Sequence, residues 1–165
     1  MKEFKDKVIV VTGGARGIGK AIAVEGAKRG MNVVLNDIDP LVCETAKEIE
    51  AMGVKCVAQN ADISIYENIE ALLKLTLDTF GHVDILVNNA GINIPRLLVD
   101  EAGQYELDDG VWDKVMNVNV KGLFYCSQEA ARVMLKQGYG VIVNMSSECG
   151  LEGSEGQSVY AASKG

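Results

Sequence analysis

The sequence predicts a doubly wound α/β fold, in which helices cover both faces of a parallel sheet with strand order 3-2-1-4-5. Two observations lead to this prediction. Apolar runs of strand length alternate with longer amphipathic stretches, without a low-complexity linker or a short repeat. The first run, Val8-Ile9-Val10-Val11, is apolar throughout, as expected for a parallel strand buried on both faces. Right-handed crossovers connect such strands, and 165 residues fit a single domain, residues 1–165.

The predicted elements follow one another regularly along the chain. Gly30 and Gly53 stand where two helices should close, and Asp39-Pro40 is a suitable N-cap and first-turn pair. Residues 92–110 form a long irregular loop after the fourth strand, where loops are often functional. Strands are predicted at residues 8–12, 32–37, 54–59, 83–88 and 140–145. Helices are predicted at residues 17–29, 40–52, 65–80, 111–137 and from 158 onward.

Composition narrows the class of protein. Hydrophobic residues make up 48% of the chain, which is enough for a real core, and the net charge of −7 argues against a nucleic-acid partner. No apolar stretch approaches membrane-spanning length, and the charged N-terminus lacks the apolar region of a signal peptide. The four cysteines form no C-x-x-C pair, so free thiols in a reducing cytoplasm are expected. With His82 as the single histidine, no metal site is expected.

Glycines are concentrated at the predicted turn from the first strand into the first helix. The segment reads Thr12-Gly13-Gly14-Ala15-Arg16-Gly17-Ile18-Gly19, with the spacing G-x-x-x-G-x-G rather than G-x-G-x-x-G. Glycines let the backbone approach a pyrophosphate, and the helix N-terminus supplies N–H donors and a positive dipole end. The turn therefore predicts a Rossmann-type dinucleotide site; the alternative is a glycine-rich turn without a ligand. The residues predicted to hold the dinucleotide here are Gly13, Arg16, Gly17, Ile18 and Gly19.

The second strand ends in a carboxylate, Asp37, which bears on the choice between NAD and NADP. An acid at this place accepts hydrogen bonds from ribose hydroxyls and repels a 2′-phosphate. Arg16 favours NADP instead, because a guanidinium in the glycine loop could bind that phosphate. A direct carboxylate clash outweighs a flexible arginine, so NAD is the predicted cofactor and NADP the alternative. Asp37 could also be a solvated strand end or a helix cap, although Asp39 is the better cap.

Tyr160 and Lys164 lie four residues apart in the last predicted helix, and Ser147 precedes them after the fifth strand. The spacing puts the phenol and the ammonium on one helix face. An ammonium stabilises a phenolate and lowers the pKa of a tyrosine, which makes it a base near neutral pH. The serine hydroxyl can hold a substrate oxygen beside it. The set predicts a hydride-transfer site, although Tyr-x-x-x-Lys by itself also occurs on ordinary helices.

These motifs together resemble the short-chain dehydrogenase/reductase family. The resemblance also includes Asn88-Asn89-Ala90-Gly91 and Asn119 in Val118-Asn119-Val120-Lys121-Gly122. It implies that Tyr160 is the catalytic acid/base, that Lys164 binds the nicotinamide ribose, and that Ser147 orients the substrate oxygen. It also implies that Asn119 holds a water in a proton relay, although Asn117 competes for that role. The remaining implied cofactor contacts are Asn89, Ala90 and Gly91 at the fourth strand, where Asn88 has a structural alternative, and Asp62 with Ile63 beside the adenine.

The loops carry a narrower resemblance, to the sorbitol-6-phosphate 2-dehydrogenases within this family. It lies in residues 91–100, 105–108 and 147–158. These loops would border the nicotinamide and carry polar groups suited to a polyhydroxylated substrate. The resemblance implies a substrate site of Arg96, Ser147, Glu148 and Tyr160, with Arg96 pairing with a phosphate. The alternatives are solvated loop residues and a reductase of another small ketone, such as a 3-oxoacyl thioester.

Members of this family continue beyond the Tyr/Lys helix through two more strands and a substrate-covering segment. The sequence is therefore expected to be the N-terminal part of a longer family domain that forms a homo-oligomer when full length. Two hypotheses remain open at this point. One is an NAD-dependent enzyme acting on a small-molecule polyol phosphate. The other is a non-catalytic nucleotide-binding module, because the substrate lobe is absent from these residues.

Overall fold

A computed structural model describes residues 4–165 as a parallel sheet between two helical layers. The strands are β1 (Val8–Thr12), β2 (Asn32–Asp37), β3 (Cys56–Asn60), β4 (Ile85–Asn88) and β5 (Val141–Asn144). The helices are α1 (Gly17–Lys28), α2 (Val42–Glu50), α3 (Tyr66–Phe80), α4 (Asp109–Met116), α5 (Leu123–Gln137), α6 (Cys149–Glu152) and α7 (Ser158–Lys164). Within the described residues the strand order is β3-β2-β1-β4-β5, and every pairing is parallel. The predicted fold class and strand order are confirmed.

The two apolar layers follow from the alternation of side chains along the strands. Ile9 and Val11 face the layer formed with α1 and α2, whereas Val8 and Val10 face the layer formed with α3 and α5. Because both sets are buried, β1 is inaccessible along its whole length, as its unbroken apolar run predicts. The first layer also contains Val33, Leu35, Ala23, Ala27 and Ile49, and the second contains Val34, Leu86, Ile69, Leu72 and Cys126.

Strand β5 forms one edge of the sheet. Among residues 4–165 it pairs with β4 alone, in a register that places Val141 beside Ile85 and Val143 beside Val87. Val141 and Val143 are 55% and 41% exposed, whereas β1, β2 and the neighbouring β4 have mostly buried side chains. The sequence predicts an uncovered apolar edge and face at the fifth strand, and the described chain has both.

The long predicted helix over residues 111–137 is wrong as a single element. The structure has α4, then a π-helical turn, Asn117–Gly122, and then α5. Gly122 is buried in this turn, and a Cβ there would lie 2.9 Å from Ile63 Cδ1 and 3.1 Å from the Ile63 carbonyl oxygen. Widened helical turns of this kind are often found at functional sites. The close packing of the turn on Ile63 and on neighbouring loops selects it, and helical periodicity does not reveal such contacts.

The predicted loop over residues 92–110 ends at residue 108 and is more ordered than expected. Asp108 caps α4 by accepting a hydrogen bond from the Val111 N–H at 2.8 Å, so the helix begins at Asp109. Asp100 folds the middle of the loop, because its carboxylate accepts backbone N–H bonds from Gln104 and Tyr105 at 2.9 and 2.7 Å. These backbone donors, the Tyr105 N–H first among them, lower the pKa of Asp100.

Other local predictions agree with the structure or shift by a few residues. Gly30 and Gly53 both have positive φ, as helix-closing glycines require. Asp39 caps the turn before α2 by accepting the Leu41 N–H at 2.9 Å, and the helix itself starts two residues after the predicted position. His82 lies before β4, at the amino end of the sheet, where its Nε2 is 3.1 Å from Asp84 Oδ2. Among residues 4–165, no helix has both the length and the apolar character needed to cross a membrane.

Two buried thiols predict a loss of stability at alkaline pH. Burial raises the pKa of Cys56 and of Cys126 to about 12, from 9.0 for an accessible thiol. Since the unfolded chain ionises these thiols at lower pH, the stability they contribute is complete below pH 9.0 and is lost as the pH rises toward 12. We expect the free energy of unfolding to fall in this range by at most about 1.4 kcal/mol per pH unit for each thiol.

Urea unfolding at several pH values up to about 10 checks this expectation. Staying below 10.5 also avoids Lys7, whose pKa the hydrogen bond from its ammonium to Asp84 raises above that value. The controls are Cys56→Ala and Cys126→Ala, which have a lower starting stability because each leaves a cavity. Each should lose less stability per pH unit than the unmodified chain. Equal slopes would show that the thiols do not titrate as buried groups.

Candidate active site

The carboxyl ends of β1, β2 and β4 open onto a cavity of about 670 Å³. Its position follows from the topology, because β1 pairs with β2 on one side and with β4 on the other, so the strand order reverses at β1 and a crevice opens at this switch point of the sheet. Most of the predicted cofactor contacts lie along its wall. The predicted residues that line it are Gly13, Arg16, Asp37, Asp62, Ile63, Asn89, Ala90 and Gly91. The other lining residues are Asn36, Ile38, Asp39, Ala61, Ser64, Ile92, Lys114, Asn117 and Val118.

The glycine loop is packed closely against the end of β4. The Asn89 side chain donates to the carbonyl oxygens of Thr12 and Gly13 at 3.0 and 3.1 Å. A Cβ at Gly13 would lie 2.9 Å from both Ala90 Cα and Asn89 Nδ2. A Cβ at Gly19 would lie only 2.1 Å from the Gly13 carbonyl oxygen. The loop therefore has a fixed shape that excludes side chains at these two positions.

The start of α1 has the properties that an anion requires. Gly17 opens the helix at a φ of +57°, and a Cβ there would meet no atom within 4 Å, so this side of the loop is open. Arg16, at the N-cap, makes no side-chain capping hydrogen bond, and the first turn contains no acidic residue. Backbone N–H groups at such a terminus bind phosphate oxygens. Gly17, Ile18 and Gly19 occupy this terminus, although they do not line the cavity itself.

Asp37 lies at the end of β2, half-buried in the cavity wall. Its Oδ2 accepts the Ala15 N–H and its Oδ1 accepts the Asp39 N–H, both at 2.9 Å. The carboxylate therefore joins the glycine loop to the turn that precedes α2. Each oxygen keeps one further lone pair for a ribose hydroxyl, so the structural role and the predicted cofactor role are compatible.

Asn119 connects the π-helical turn to the loop after β4 and to α7. Its Oδ1 accepts the Ile92 N–H at 2.8 Å, and its Nδ2 donates to the Ile92 carbonyl and to Ser163 Oγ, both at 2.9 Å. Asn119 is 2% exposed, whereas Asn117 is exposed and lines the large cavity. The two asparagines thus lie in different places. That Asn119 holds a relay water stays a prediction. Both N–H groups of its amide are already used, so a water could bind only to the second lone pair of Oδ1.

Lys164 lies close to the same junction. Its Nζ donates to the Met145 carbonyl oxygen at 2.7 Å, and a Cβ added at Gly91 would lie 3.5 Å from Nζ and 3.3 Å from Asn119 Oδ1. Burial lowers the pKa of the Lys164 ammonium, because the half-buried site solvates the charge less well than water does. The ammonium keeps two further donors for other partners. Lys164 and Asn119 also line a smaller cavity of about 390 Å³.

Ser147 and Tyr160 belong to elements that pack together at this end of the sheet. Ser147 lies two residues before α6, and its Oγ accepts the Cys149 N–H at 3.3 Å. Tyr160 is half-buried on α7, which packs against α6 and α4. The contact is close, because a Cβ at Gly150 would lie 2.5 Å from the Lys164 backbone. The predicted catalytic residues therefore come from adjoining elements after β4 and β5.

The predicted substrate residues in the loops, Arg96 and Glu148, lie apart from the junction of Asn119 and Lys164. The Arg96 guanidinium donates to the Pro95 carbonyl at 2.8 Å and lies over the Tyr105 ring at 5.9 Å. Its backbone N–H donates to the Gly156 carbonyl at 2.7 Å, which ties the two predicted substrate loops together. Glu148 is exposed at the start of α6. Neither residue lines either of the two cavities described above.

Several residues at the site do not stand out in the sequence by their chemistry. Thr12 Oγ1 accepts the N–H groups of Asn89 and Ala90, both at 3.1 Å, and its place directly before the glycines is the one available signal. Lys114 lines the cavity from α4, and nothing in its neighbourhood in the sequence marks it. Asn88 donates to Ser127 and Asn144, both at 2.9 Å, and lies outside the cavity wall. Its contacts favour the structural alternative.

The residues of this site fit a dinucleotide. The glycine loop leaves an open cradle beside Gly17 at a helix N-terminus that lacks an acidic residue. A carboxylate, Asp37, stands at the end of the neighbouring strand, and a cavity of about 670 Å³ connects it with Gly91. This is the arrangement of backbone donors, carboxylate and crevice that binds a pyrophosphate and a ribose.

The family model for short chain dehydrogenases matches residues 7–165, and the chain therefore belongs to the short chain dehydrogenase family. The resemblance stated from the motifs is confirmed. Sorbitol-6-phosphate 2-dehydrogenase of Klebsiella pneumoniae is 47% identical over 164 residues, which make up 98% of this chain and 59% of that protein.

Two further proteins show how far the similarity extends. The chain is 39% identical to a 3-oxoacyl-(acyl-carrier-protein) reductase of Synechocystis over 166 residues, covering 99% of this chain and 65% of that protein. The crystal structure of an NAD⁺-bound xylitol dehydrogenase superposes with a TM-score of 0.90 at 28% identity, covering 98% of this chain and 61% of that one. The chain thus spans 59 to 65% of the length of these three proteins.

Proposed function

We propose that the whole protein is an NAD-dependent oxidoreductase that oxidises sorbitol 6-phosphate at carbon 2 to fructose 6-phosphate. The observation that carries this proposal is the convergence of Gly91, Asn119 and Lys164, where a Cβ at Gly91 would lie 3.3 Å from Asn119 Oδ1 and 3.5 Å from Lys164 Nζ. Gly91 also lines the cavity that fits the dinucleotide, so the polar cluster and the cofactor site share a wall. NAD, when bound, accepts the hydride that leaves carbon 2 of the substrate.

The chain's own residues provide the proton chemistry. Tyr160 takes the proton of the substrate hydroxyl during oxidation and returns one during reduction. Ser147 holds the substrate oxygen by a hydrogen bond, and Lys164 supplies positive charge next to the phenol and the nicotinamide ribose. The Lys164 ammonium is already fixed by the Met145 carbonyl, so little reorganisation is needed to use its other two donors. Asn119 holds the Ile92 backbone in place beside the cofactor.

The choice of substrate rests on the loops and on the relatives. The two loops are joined through the Arg96 N–H and the Gly156 carbonyl, and they carry Asn93 and Glu148 as well as Arg96. Polar side chains of this kind suit a polyol better than an acyl chain. The relatives include a sorbitol-6-phosphate dehydrogenase and a xylitol dehydrogenase. The similarity to a 3-oxoacyl reductase supports a second candidate, the reduction of a 3-oxoacyl thioester.

Initial rates with sorbitol 6-phosphate, unphosphorylated sorbitol and a 3-oxoacyl thioester, measured side by side on the whole protein, test the proposal. We expect the phosphorylated polyol to have the highest kcat/KM, with NAD as the preferred acceptor. A higher kcat/KM for the thioester would replace this substrate assignment with the second candidate. Binding of NAD without turnover of any of the three substrates would instead support a non-catalytic nucleotide-binding module.

Arg96→Ala should raise the KM for sorbitol 6-phosphate more than that for sorbitol. A charge-assisted contact to the phosphate is worth about 1.5–3 kcal/mol, which corresponds to a roughly ten- to hundredfold change in affinity. The guanidinium can make it with N–H donors other than the one that Nη1 gives to the Pro95 carbonyl. The matched control is Arg132→Ala, which removes an exposed arginine on α5 that pairs with Glu129. Equal KM changes for both polyols would remove Arg96 from the phosphate site.

Asp37→Asn should relax the discrimination against NADP. The substitution removes the negative charge and keeps an oxygen acceptor for one of the two backbone N–H groups that Asp37 binds. Like charges placed together cost several kcal/mol, so we expect the ratio of NAD to NADP affinity to fall by about tenfold or more. Competitive titration of the two cofactors measures the ratio. Equal affinities in the unmodified protein would contradict the choice of NAD.

We also propose that the whole protein is a cytoplasmic homo-oligomer. Cys43, Cys56, Cys126 and Cys149 are free thiols, which a reducing compartment preserves. Subunit pairing is the rule implied by the family resemblance, and the apolar edge at β5 is a surface that further packing would cover. Sedimentation of the purified protein at several concentrations tests the oligomeric state.

A further inference from the structure

Arg16 and Asp39 form an ion pair in the wall of the larger cavity, which Asp37 also lines. The Arg16 guanidinium contacts Asp39 Oδ2, and all three residues line the cavity. The Arg16 side chain is 70% exposed, whereas that of Asp39 is 29% exposed. The more exposed partner of the pair is therefore the arginine, which is the residue that could otherwise bind a 2′-phosphate.

Two hydrogen bonds hold Asp39 in place. Its side-chain Oδ1 accepts the Leu41 N–H at 2.9 Å, and its backbone N–H donates to Asp37 Oδ1 at 2.9 Å. The turn from β2 into α2 is thus a chain of local hydrogen bonds that fixes both carboxylates relative to each other. The other oxygen of Asp39, Oδ2, is the one that contacts the Arg16 guanidinium.

We propose that Asp39 is a positioning residue for cofactor choice, which acts by holding Arg16 and neutralising its charge. This inference rests on the proposed NAD-binding function. Asp37, Asp39 and Arg16 together carry a net charge of −1 at the end of β2, and the Arg16 guanidinium is already paired with Asp39. Guanidinium groups bind phosphate bidentately when they are free to do so. The exclusion of a 2′-phosphate then depends on the Arg16–Asp39 pair as well as on Asp37.

Asp39→Asn tests the role of this pair, because asparagine keeps the Oδ1 acceptor for Leu41 and loses the charge that holds Arg16. The probes are 5′-AMP and adenosine 2′,5′-bisphosphate, titrated calorimetrically into the whole protein at low ionic strength. We expect the affinity for the bisphosphate, relative to 5′-AMP, to rise about two- to fivefold, as the modest coupling of exposed pairs suggests. The gain should shrink as salt is added.

Two further variants separate a specific effect from a general one. Glu48→Gln removes the same charge from a comparable pair, Lys20–Glu48, that joins α1 to α2 outside the cavity wall, and it should leave the affinity ratio unchanged. Arg16→Ala in the Asp39→Asn background should abolish the gain. Asp39→Ser, which can also cap the turn, serves as the second variant if Asp39→Asn unfolds.

The outcomes separate this inference from the proposed function. An unchanged ratio in Asp39→Asn, with 5′-AMP still bound, would overturn the role of Asp39 and leave NAD binding intact. A gain that persists without Arg16, or that Glu48→Gln reproduces, would also overturn it, because charge alone would then explain the effect. Failure of the unmodified protein to bind 5′-AMP would instead count against the proposed NAD site.

Discussion

Replacing Tyr160 by phenylalanine should reduce kcat of the whole protein by about 10²- to 10⁴-fold, the range that a positioned acid/base contributes. The affinity for NAD should change little. The backbone contacts of this residue survive, since Ser163 Oγ donates to the Tyr160 carbonyl at 2.7 Å and to nothing on the ring. The substitution therefore removes the phenolic hydroxyl and leaves the junction of α7 with Asn119 in place.

Two comparisons sharpen this experiment. Tyr139→Phe removes a hydroxyl from an exposed ring near Lys7, at the amino end of the sheet, and should leave turnover unchanged. Lys164→Ala should impair both turnover and NAD binding, because the ammonium is expected to serve the phenol and the ribose together. Single-turnover kinetics and calorimetric titration of NAD measure the two effects separately. If Tyr160→Phe kept near-normal turnover, another residue would have to be the base.

The sheet could be predicted because its determinants are local. The run from Val8 to Val11 has the length of a strand and no polar face, and Gly30 and Gly53 end the helices that follow β1 and β2. Side-chain alternation then assigns each strand residue to one of two layers. Given alternating strands and helices, the handedness of crossovers leaves few possible topologies. The strand order follows from these rules together with the glycine turn.

The π-helical turn could not be predicted because distant contacts decide it. The segment around Asn119 has the periodicity of a continuous helix, and the one-residue widening depends on Ile63 and Ile92, which are remote in the sequence. Distant contacts also explain why Asn119 is buried whereas Asn117 is exposed. The spacing Asn-x-x-Gly distinguishes Asn119 from Asn117 in the sequence, and in the structure Gly122 of this spacing packs on Ile63.

In the candidate site, too, locally determined features could be predicted and features set by distant contacts could not. The glycines, Asp37 and the Tyr/Lys pair have sequence signatures, because each must stand at the end of a particular element. The pairing of Arg16 with Asp39 has none, since it depends on how the glycine loop and the turn after β2 approach each other. The position of the Arg96 guanidinium on Pro95 and Tyr105 is likewise set by the fold of the loop around Asp100.

Gly19→Ala should have the second large effect, a loss of dinucleotide binding that accompanies a distorted glycine loop. A Cβ at this position would lie 2.1 Å from the Gly13 carbonyl oxygen, 2.9 Å from the Gly13 carbonyl carbon and 2.6 Å from Asn89 Nδ2. No real Cβ contact is that short, and two of the three atoms are backbone, so α1 or the loop has to move. Overpacking of this kind costs about 1–3 kcal/mol or more in stability.

The displacement should also weaken cofactor binding, because the Gly13 carbonyl and the Asn89 amide hold the glycine loop in shape. Asn89 Nδ2 donates to the Gly13 carbonyl at 3.1 Å, so moving Gly13 away from α1 disrupts this hydrogen bond and the shape of the loop that binds the dinucleotide. We expect NAD affinity to fall at least about tenfold, since each 1.4 kcal/mol of reorganisation corresponds to that factor. Gly26→Ala, on the same helix, is the matched control, because its Cβ would make ordinary contacts of 3.4 Å with Ile9 and Met31. Calorimetric titration of NAD and urea unfolding of both variants measure the two effects. An unchanged NAD affinity in Gly19→Ala would show that the close approach of Gly13 to α1 does not shape the site.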